Sequence, residues 1–434
     1  MTVNTGSDRQ ISVALLGGGT VGAEVARLLS QSAADLAARA GAPLRVTGVS
    51  VRDATRQRPG IDPDLLTTDA DALASSGADI VVELIGGIDE AYRLVKLALE
   101  SGSSVVTANK ALIARHGAEL HRIAEDRGAD LYYEAAVAGA IPLLHPLGNN
   151  LSGDRITRVL GIVNGTTNYI LTAMDEEGAD YDQVLRQAQD LGYAEADPTA
   201  DVEGHDAAAK AAILAGLAFH AQFTADDVHT EGISSVSSDD MAAARDMGFV
   251  IKLLAIAELA ADGGGVCIRV HPTMVPRTHP LANVRGAFNA VFVEADAAGE
   301  VMFYGQGAGG TPTASAVLGD IVTVARHRVT GSRGPVRSNY TELQALPISA
   351  AHTAYYVNLD VEDRPGVLAD AAAIFAENGV SIAGVRQEGH GDRATLVVRT
   401  HASSDGSLKA TLDGLRKLTA VRAVAGSMRV EGEG

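Results

Sequence analysis

An apolar run at residues 11–16 is followed at once by Gly17, Gly19 and Gly22, and then by an Ala- and Leu-rich amphipathic stretch to about Ala40. Few local patterns restrict a chain more. The first glycine makes the tight turn out of a strand. The second lets a pyrophosphate approach the backbone, and the third lets the following helix pack on that strand. The helix N-terminus then offers unpaired N–H groups to negative charge. Alone, this is a turn that any α/β chain can use. Here, strand-like segments at 44–51, 80–85, 104–107 and 131–134 follow, alternating with helical segments at 90–100 and 111–126. That rhythm is the one of βαβ units and a parallel sheet, so the turn reads as a dinucleotide-binding one.

Beyond Ala138 the rhythm changes. Candidate strands at 158–163, 232–236, 267–270 and 289–294 mix with candidate helices at 168–176, 181–191, 206–223 and 241–260, which suggests an α+β domain. Residues 299–310 are glycine-rich, and Thr311 and Pro312 then open a helix to about His327. Residues 331–350 show no period and read as a linker. From 351 to 434 the order is strand (355–361), helix (to Glu377), strands (380–388 and 393–400), helix (405–418) and strand (421–430), the βαββαβ order of a ferredoxin-like fold. The expected organisation is a nucleotide-binding domain from 11–137 plus about 306–330, an α+β domain at 138–305, the linker, and a separate ferredoxin-like domain at 351–434.

Composition excludes several functions. Lys plus Arg number 35 against 54 Asp plus Glu, a net charge of −19, whereas a general nucleic-acid binder needs a basic face. Aromatic residues are 4% with no Trp, which argues against base stacking. No apolar run reaches the ~18 residues of a membrane span; the longest, near 250–261, is broken by Lys252 and Glu258. The first ten residues are polar and lack the apolar stretch of a signal peptide, so a cytoplasmic location is expected. Cys267 is the one cysteine and sits in an apolar run, the place of a core residue. No set of His, Cys and carboxylates shows zinc spacing.

Four polar segments carry chemistry. The second strand ends at Ser50 to Arg52, with Arg56 and Arg58 beyond. Arginine at that place suits the 2′-phosphate of NADP(H); Asp53 next door would suit NAD(H), and a solvated charged loop is the plain alternative. Thr107 to Lys110 follow a strand end, where ligands bind in this architecture, though such a lysine is often only a surface group. Residues 161–168, with Asn164 and Thr166 to Asn168, form a polar turn that could hold a substrate or cap a helix. The densest segment is 192–210: Glu195, Asp197, Asp201, Glu203, His205, Asp206 and Lys210 surround the start of an otherwise apolar helix. Asp206 and Lys210 share a helical face. The acids could be mere caps, but a lysine partly desolvated on that helix could act in acid–base chemistry, with carboxylates beside it for a substrate ammonium.

These residues resemble the homoserine dehydrogenase family, in its monofunctional form with a C-terminal ACT domain. The matching strings are the Gly17–Gly22 turn and residues 107–110, 133–142, 164–168, 192–210 and 305–314, with 363–368 for the ACT part. The resemblance implies a Rossmann-type α/β domain, an α+β catalytic domain, and reversible NAD(P)H-dependent reduction of L-aspartate 4-semialdehyde to L-homoserine. It implies that Gly17, Gly19, Thr20, Val21 and Gly22 cradle the cofactor, with Arg52, Lys110, Gly192 and Gly307 beside it. Glu195, Asp201 and Asp206 would hold substrate, and Lys210 would donate the proton, Lys110 being a second active-site lysine. Glu134, Val137, Gly139 and Ile141 match a monovalent-cation site, usually sodium. NADP(H) is favoured and NAD(H) remains open. The ACT part implies an amino-acid effector, L-threonine, and a homo-oligomer, dimer or tetramer; removing 351–434 is expected to leave activity and abolish the inhibition. Two other readings stay open: a different dehydrogenase of a small amino or carbonyl acid, and an amino-acid sensor with a silent nucleotide domain.

Overall fold

The computed structural model describes residues 9–335 and 341–432. It divides into two compact units, one of Met1–Ile156, Ala212–Ala225 and Ala295–Glu342, the other of Thr157–Ala211, Asp226–Glu294 and Leu343–Gly434.

The first unit is a parallel sheet of β1 (Ile11–Leu16), β2 (Leu44–Ser50), β3 (Leu66–Thr67), β4 (Ile80–Glu83), β5 (Ser104–Thr107) and β6 (Leu131–Tyr132), in the order β3-β2-β1-β4-β5-β6. β1, β4 and β5 are almost wholly buried, which is why they read as apolar runs without alternation. Strand order reverses beside β1, so the ends of β1 and β4 form the crevice where such sheets bind ligands. The helix Thr20–Gln31 leaves β1, and the helix Gly310–Thr330 packs on it through Ala314, Val317, Ile321 and Val324.

The second unit contains β7 (Ile156–Ile162), β8 (Phe249–Leu259), β9 (Gly265–Pro276), β10 (Phe288–Ala295), β11 (His352–Glu362), β12 (Ile382–His390), β13 (Arg393–Thr400) and β14 (Val421–Val430). They run β10-β7-β8-β9-β14-β11-β13-β12 in one sheet. The last four follow the ferredoxin-like order, with the helices Val367–Glu377 and Asp405–Leu415 packed over Tyr355, Val357, Leu359 and Val361. This ferredoxin-like sheet is continuous with the strands before it: β14 pairs in parallel with β9, Thr273 opposite Arg429 and Met274 opposite Val430.

Three local expectations are corrected. Residues 241–260 are not one helix; a helix at Ser238–Asp246 ends near Gly248 (φ +81°), and β8 follows. β8 is buried along nine consecutive residues, and periodicity cannot separate a strand buried on both faces from a buried helix. Residues 232–236 are a turn, closed by the Val236 N–H on the Ile233 carbonyl; the strand here is His229–Thr230. The segment 331–350 contains a strand, Gln344–Leu346, paired with β9, while 336–340 lie outside the described residues. Cys267 is buried, and burial pushes its thiol pKa up, as befits an inert core residue.

Candidate active site

In the first unit the phosphate turn is shaped by close approaches. A Cβ on Gly17 (φ +115°) would lie 2.7 Å from the Leu84 carbonyl oxygen, and one on Gly22 only 2.1 Å from the Gly17 oxygen. A Cβ on Gly19 would meet nothing within 4 Å. Gly17 and Gly22 are thus needed by the protein itself, whereas Gly19 keeps its backbone open. Helix Thr20–Gln31 has no side-chain cap and no acid in its first turn, Thr20 and Val21 being its first two residues. A turn with open N–H groups, a bare glycine and no competing carboxylate fits a pyrophosphate. Arg52 is exposed just beyond β2. Asp53 is drawn into its own loop, accepting from the Thr55 N–H (2.9 Å) and hydroxyl (2.6 Å), and these bonds lower its pKa. Arg58 donates to the carbonyls of Asp53 and Arg56 and so braces that loop.

At the far ends of β4 and β5 the fully buried Glu83 holds three donors: the Thr107 hydroxyl (2.5 Å) and the N–H groups of Ile85 (2.9 Å) and Gly86 (3.1 Å). Thr107 in turn accepts from the Asn109 N–H, and Asn109 caps the helix Lys110–Arg127. Lys110 is therefore the first residue of a helix, half-buried, on a rigid strand end. Nothing in the local pattern of Ile80–Glu83 marked Glu83, whose side-chain partner, Thr107, is 24 residues away.

Gly139 (φ +55°) passes so close to Gly307 that a Cβ would lie 2.4 Å from the Gly307 oxygen. The Ala140 N–H donates to Gln306, and the Ile141 N–H to Ala138, itself at φ +59°. The Glu134 carboxylate is occupied by the backbone N–H groups of Leu143 (2.5 Å), Leu144 (2.7 Å) and His145 (2.8 Å). Val137, Gly139 and Ile141 are buried in the turn that follows.

In the second unit the structure gathers Asp201, Asp206 and Lys210 around Asn164. The Lys210 ammonium, buried on helix His205–Ala218, donates to the Val163 carbonyl (2.6 Å) and to Asp206 (2.7 Å). Asn164 donates to Asp206 (2.9 Å) and Asp201 (2.7 Å), while its side-chain oxygen caps the helix Gly165–Glu177. The Thr166 hydroxyl, within 3.1 Å of Asp201, also reaches the Tyr193 carbonyl (2.7 Å). Asn164 is thus a helix cap, one of the two roles its sequence left open, and it also links the two carboxylates. Glu195 is exposed and outside this network, its carbonyl accepting from Gln189, and Gly192 (φ +77°) is exposed beside it.

Behind this site lies a residue that the sequence did not single out. Lys252 on β8 is 3% exposed and donates to the Asn168 side chain (2.9 Å) and the Val284 carbonyl (2.6 Å). Burial pushes its pKa down to about 8. It had looked like an interruption of an apolar run; it is the anchor of the helix that Asn164 caps.

The chain is 56% identical to a homoserine dehydrogenase of Mycobacterium leprae over 98% of each chain. It belongs to the homoserine dehydrogenase family. The family models agree: homoserine dehydrogenase NAD-binding domain at residues 17–134, homoserine dehydrogenase at 142–322 and ACT domain at 355–419. A solved homoserine dehydrogenase from Thiobacillus denitrificans has a TM-score of 0.91 and 40% identity, covering 98% of this chain and 99% of its own. A hyperthermophilic archaeal homoserine dehydrogenase, solved in complex with NADPH, has a TM-score of 0.61 and 28% identity, covering 73% of this chain and 98% of its own. The chain is accordingly an NAD(P)-linked oxidoreductase that interconverts L-aspartate 4-semialdehyde and L-homoserine in amino-acid biosynthesis. Among the described residues no helix is long and apolar enough to cross a membrane.

Proposed function

We propose that homoserine dehydrogenase chemistry runs on this chain with Lys210 as proton donor. The observation that carries this is a buried ammonium that donates to the Asp206 carboxylate and the Val163 carbonyl, among Asn164, Asp201 and Thr166. The nicotinamide cofactor supplies the hydride. As the aldehyde carbon is reduced its oxygen gains negative charge; the Lys210 ammonium stabilises that charge and gives up a proton. Asp206 and Asp201 hold the substrate ammonium group, and their bonds to Asn164 keep both carboxylates aimed. Glu195 is assigned to the substrate on the resemblance alone. Lys110, on the end of β5, orients or polarises.

Gly17, Gly19, Thr20, Val21 and Gly22 bind the pyrophosphate, with Gly192, Gly307 and Lys110 also against the cofactor. NADP(H) is the favoured partner: Arg52 is exposed for a 2′-phosphate, and Asp53 is spent on Thr55. The carbonyls of Glu134, Val137, Gly139 and Ile141 take a monovalent cation such as sodium. The protein works in the cytoplasm as a dimer or tetramer. L-Threonine inhibits through the ACT part near residues 363–368, where Gly366 (φ +96°) opens an uncapped helix.

Rates measured with aspartate semialdehyde against NADPH and NADH, in the wild type and in Lys210→Ala, test the reading. NADPH should be preferred, and Lys210→Ala should fold but lose most of its kcat. A variant with near wild-type kcat removes Lys210 from the mechanism. Inhibition by L-threonine should weaken in Asp363→Ala with kcat retained; unchanged inhibition would move the effector site elsewhere.

A further inference from the structure

Arg429 lies near the end of β14, in the regulatory sheet, with its side chain 13% exposed. It donates twice to Glu231, at 3.0 Å to each carboxylate oxygen, and on its other edge to Asp405, at 2.7 and 3.0 Å. Asp405 also accepts from the Tyr355 hydroxyl (3.0 Å). The guanidinium is thus a fork between the regulatory helix Asp405–Leu415 and a loop of the catalytic sheet. Such a fork fixes direction as well as distance, which a lysine would not.

The loop it holds is packed without slack against the substrate-binding segment. The Glu231 N–H donates to the Val270 carbonyl (2.8 Å), and the Ile233 N–H to the Val202 carbonyl (2.8 Å). Gly232 has no room for a side chain: its Cβ would lie 2.5 Å from the Val202 oxygen and 2.7 Å from the Glu203 Cα. From the other side a Cβ on Gly204 (φ +83°) would lie 3.0 Å from Thr230 and 3.2 Å from Val270. Val202 to Gly204, with His205, are the residues between Asp201 and Asp206. A shift of the 230–233 backbone is therefore passed to the segment that carries those two carboxylates.

We propose that Arg429 is a positioning residue for the substrate site: through Glu231 and residues 230–233 it holds Val202–Gly204, and so sets the separation of Asp201 and Asp206. This rests on the reading that those carboxylates bind substrate. It goes beyond that reading in placing a residue of the regulatory sheet, 198 positions from its partner, in control of substrate affinity.

The test uses the full chain. Arg429→Gln, Arg429→Lys, Glu231→Gln, the double variant Arg429→Gln/Glu231→Gln, and Asp206→Asn are compared for KM of L-homoserine, KM of NADP, kcat and melting temperature. Arg429→Gln and Glu231→Gln should each raise the KM for homoserine roughly tenfold, with the KM for NADP within about twofold. The double variant should be no worse than the worse single one, because both remove the same link. Arg429→Lys should sit between wild type and Arg429→Gln, and it stands in should Arg429→Gln fail to fold. An unchanged homoserine KM in the variants, an equal rise in both KM values, or additive effects in the double variant would overturn the proposal. Asp206→Asn separates the premise: if it leaves the homoserine parameters untouched, the substrate site itself is misplaced, whatever Arg429 does.

Discussion

At the glycine turn of the first unit, the cofactor side is shaped by atoms that are missing. Gly17 and Gly22 stand where a Cβ would collide with backbone, and Gly19 where one would collide with nothing in the protein. At the substrate segment of the second unit, the work is done by groups that are present and paired: Lys210 with Asp206, and Asn164 with Asp201 and Asp206. The first site depends on backbone shape. The second depends on buried polar groups, each of which is costly to leave without its partner. Shape-based sites should therefore fail by steric steps, and charge-based sites through rate and pH.

The largest effect expected is on the charge side. Lys210→Ala should lower kcat by about 10²–10⁴-fold, the usual yield of a positioned acid, with Lys110→Ala falling less. Equal losses would remove the distinction between the two lysines. Next comes a paired test of the turn. Gly22→Ala should destabilise by about 1–3 kcal/mol or more, seen in the denaturation midpoint, because neither the Gly17 oxygen nor the helix can yield. Gly19→Ala should leave that midpoint alone and raise only the KM for the cofactor. If both variants melt alike, the division between structural and ligand-facing glycines is wrong. A smaller effect is expected for Arg52→Ala, which should reduce the preference for NADPH over NADH by about tenfold, a charge-assisted hydrogen bond's worth.

The smallest effect concerns pH and stability. His271 is fully buried, and burial, then the positive charges of Arg429 and Arg269, depress its pKa to about 3. Unfolded, it takes up a proton near its ordinary value of about 6.5. Between those values the unfolded chain binds more protons, so this group lowers stability as pH falls from about 6.5 towards 3. Melting curves from pH 7 to pH 5 should show this loss. A His271→Gln variant that declines just as steeply would assign it to other groups.

Joining the two sheets also changes what truncation can reveal. Glu431, just past β14, is 4% exposed and pairs with Arg158 and with the fully buried Arg269 (2.8 Å). Cutting away residues 351–434 would take that carboxylate from both arginines, leaving Arg269 with Glu258 and Arg158 with Glu294, and losing one partner of a buried pair costs up to about 3–5 kcal/mol. Loss of activity on truncation would then report unfolding, so effector binding is better tested by point variants in the full chain.

Legibility tracked range. The glycine turn, the alternation of strands and helices in the first unit and the βαββαβ order of the last segment are local patterns, and they were readable. So were Asp206 and Lys210, because four residues on a helix place them on one face. Residues 241–260 misled because a strand buried on both faces has no period to show. Glu83, Lys252 and Arg429 gave no local sign. Each is a single charged residue inside an apolar or alternating run, with a side-chain partner that comes from a segment far along the chain.

What this sequence determined by itself is the set of backbone conformations and element types: where glycine is obligatory, where helices begin, and which short segments carry the reactive groups. What tertiary structure alone decided is which charges meet. The attraction that stabilises a buried carboxylate or ammonium falls off over a few ångströms, so it is set by distance in space rather than along the chain. That is why the Asp206–Lys210 pair was legible on its own helix, while Lys252 and Arg429 met their partners only once β8, β9 and β14 lay side by side.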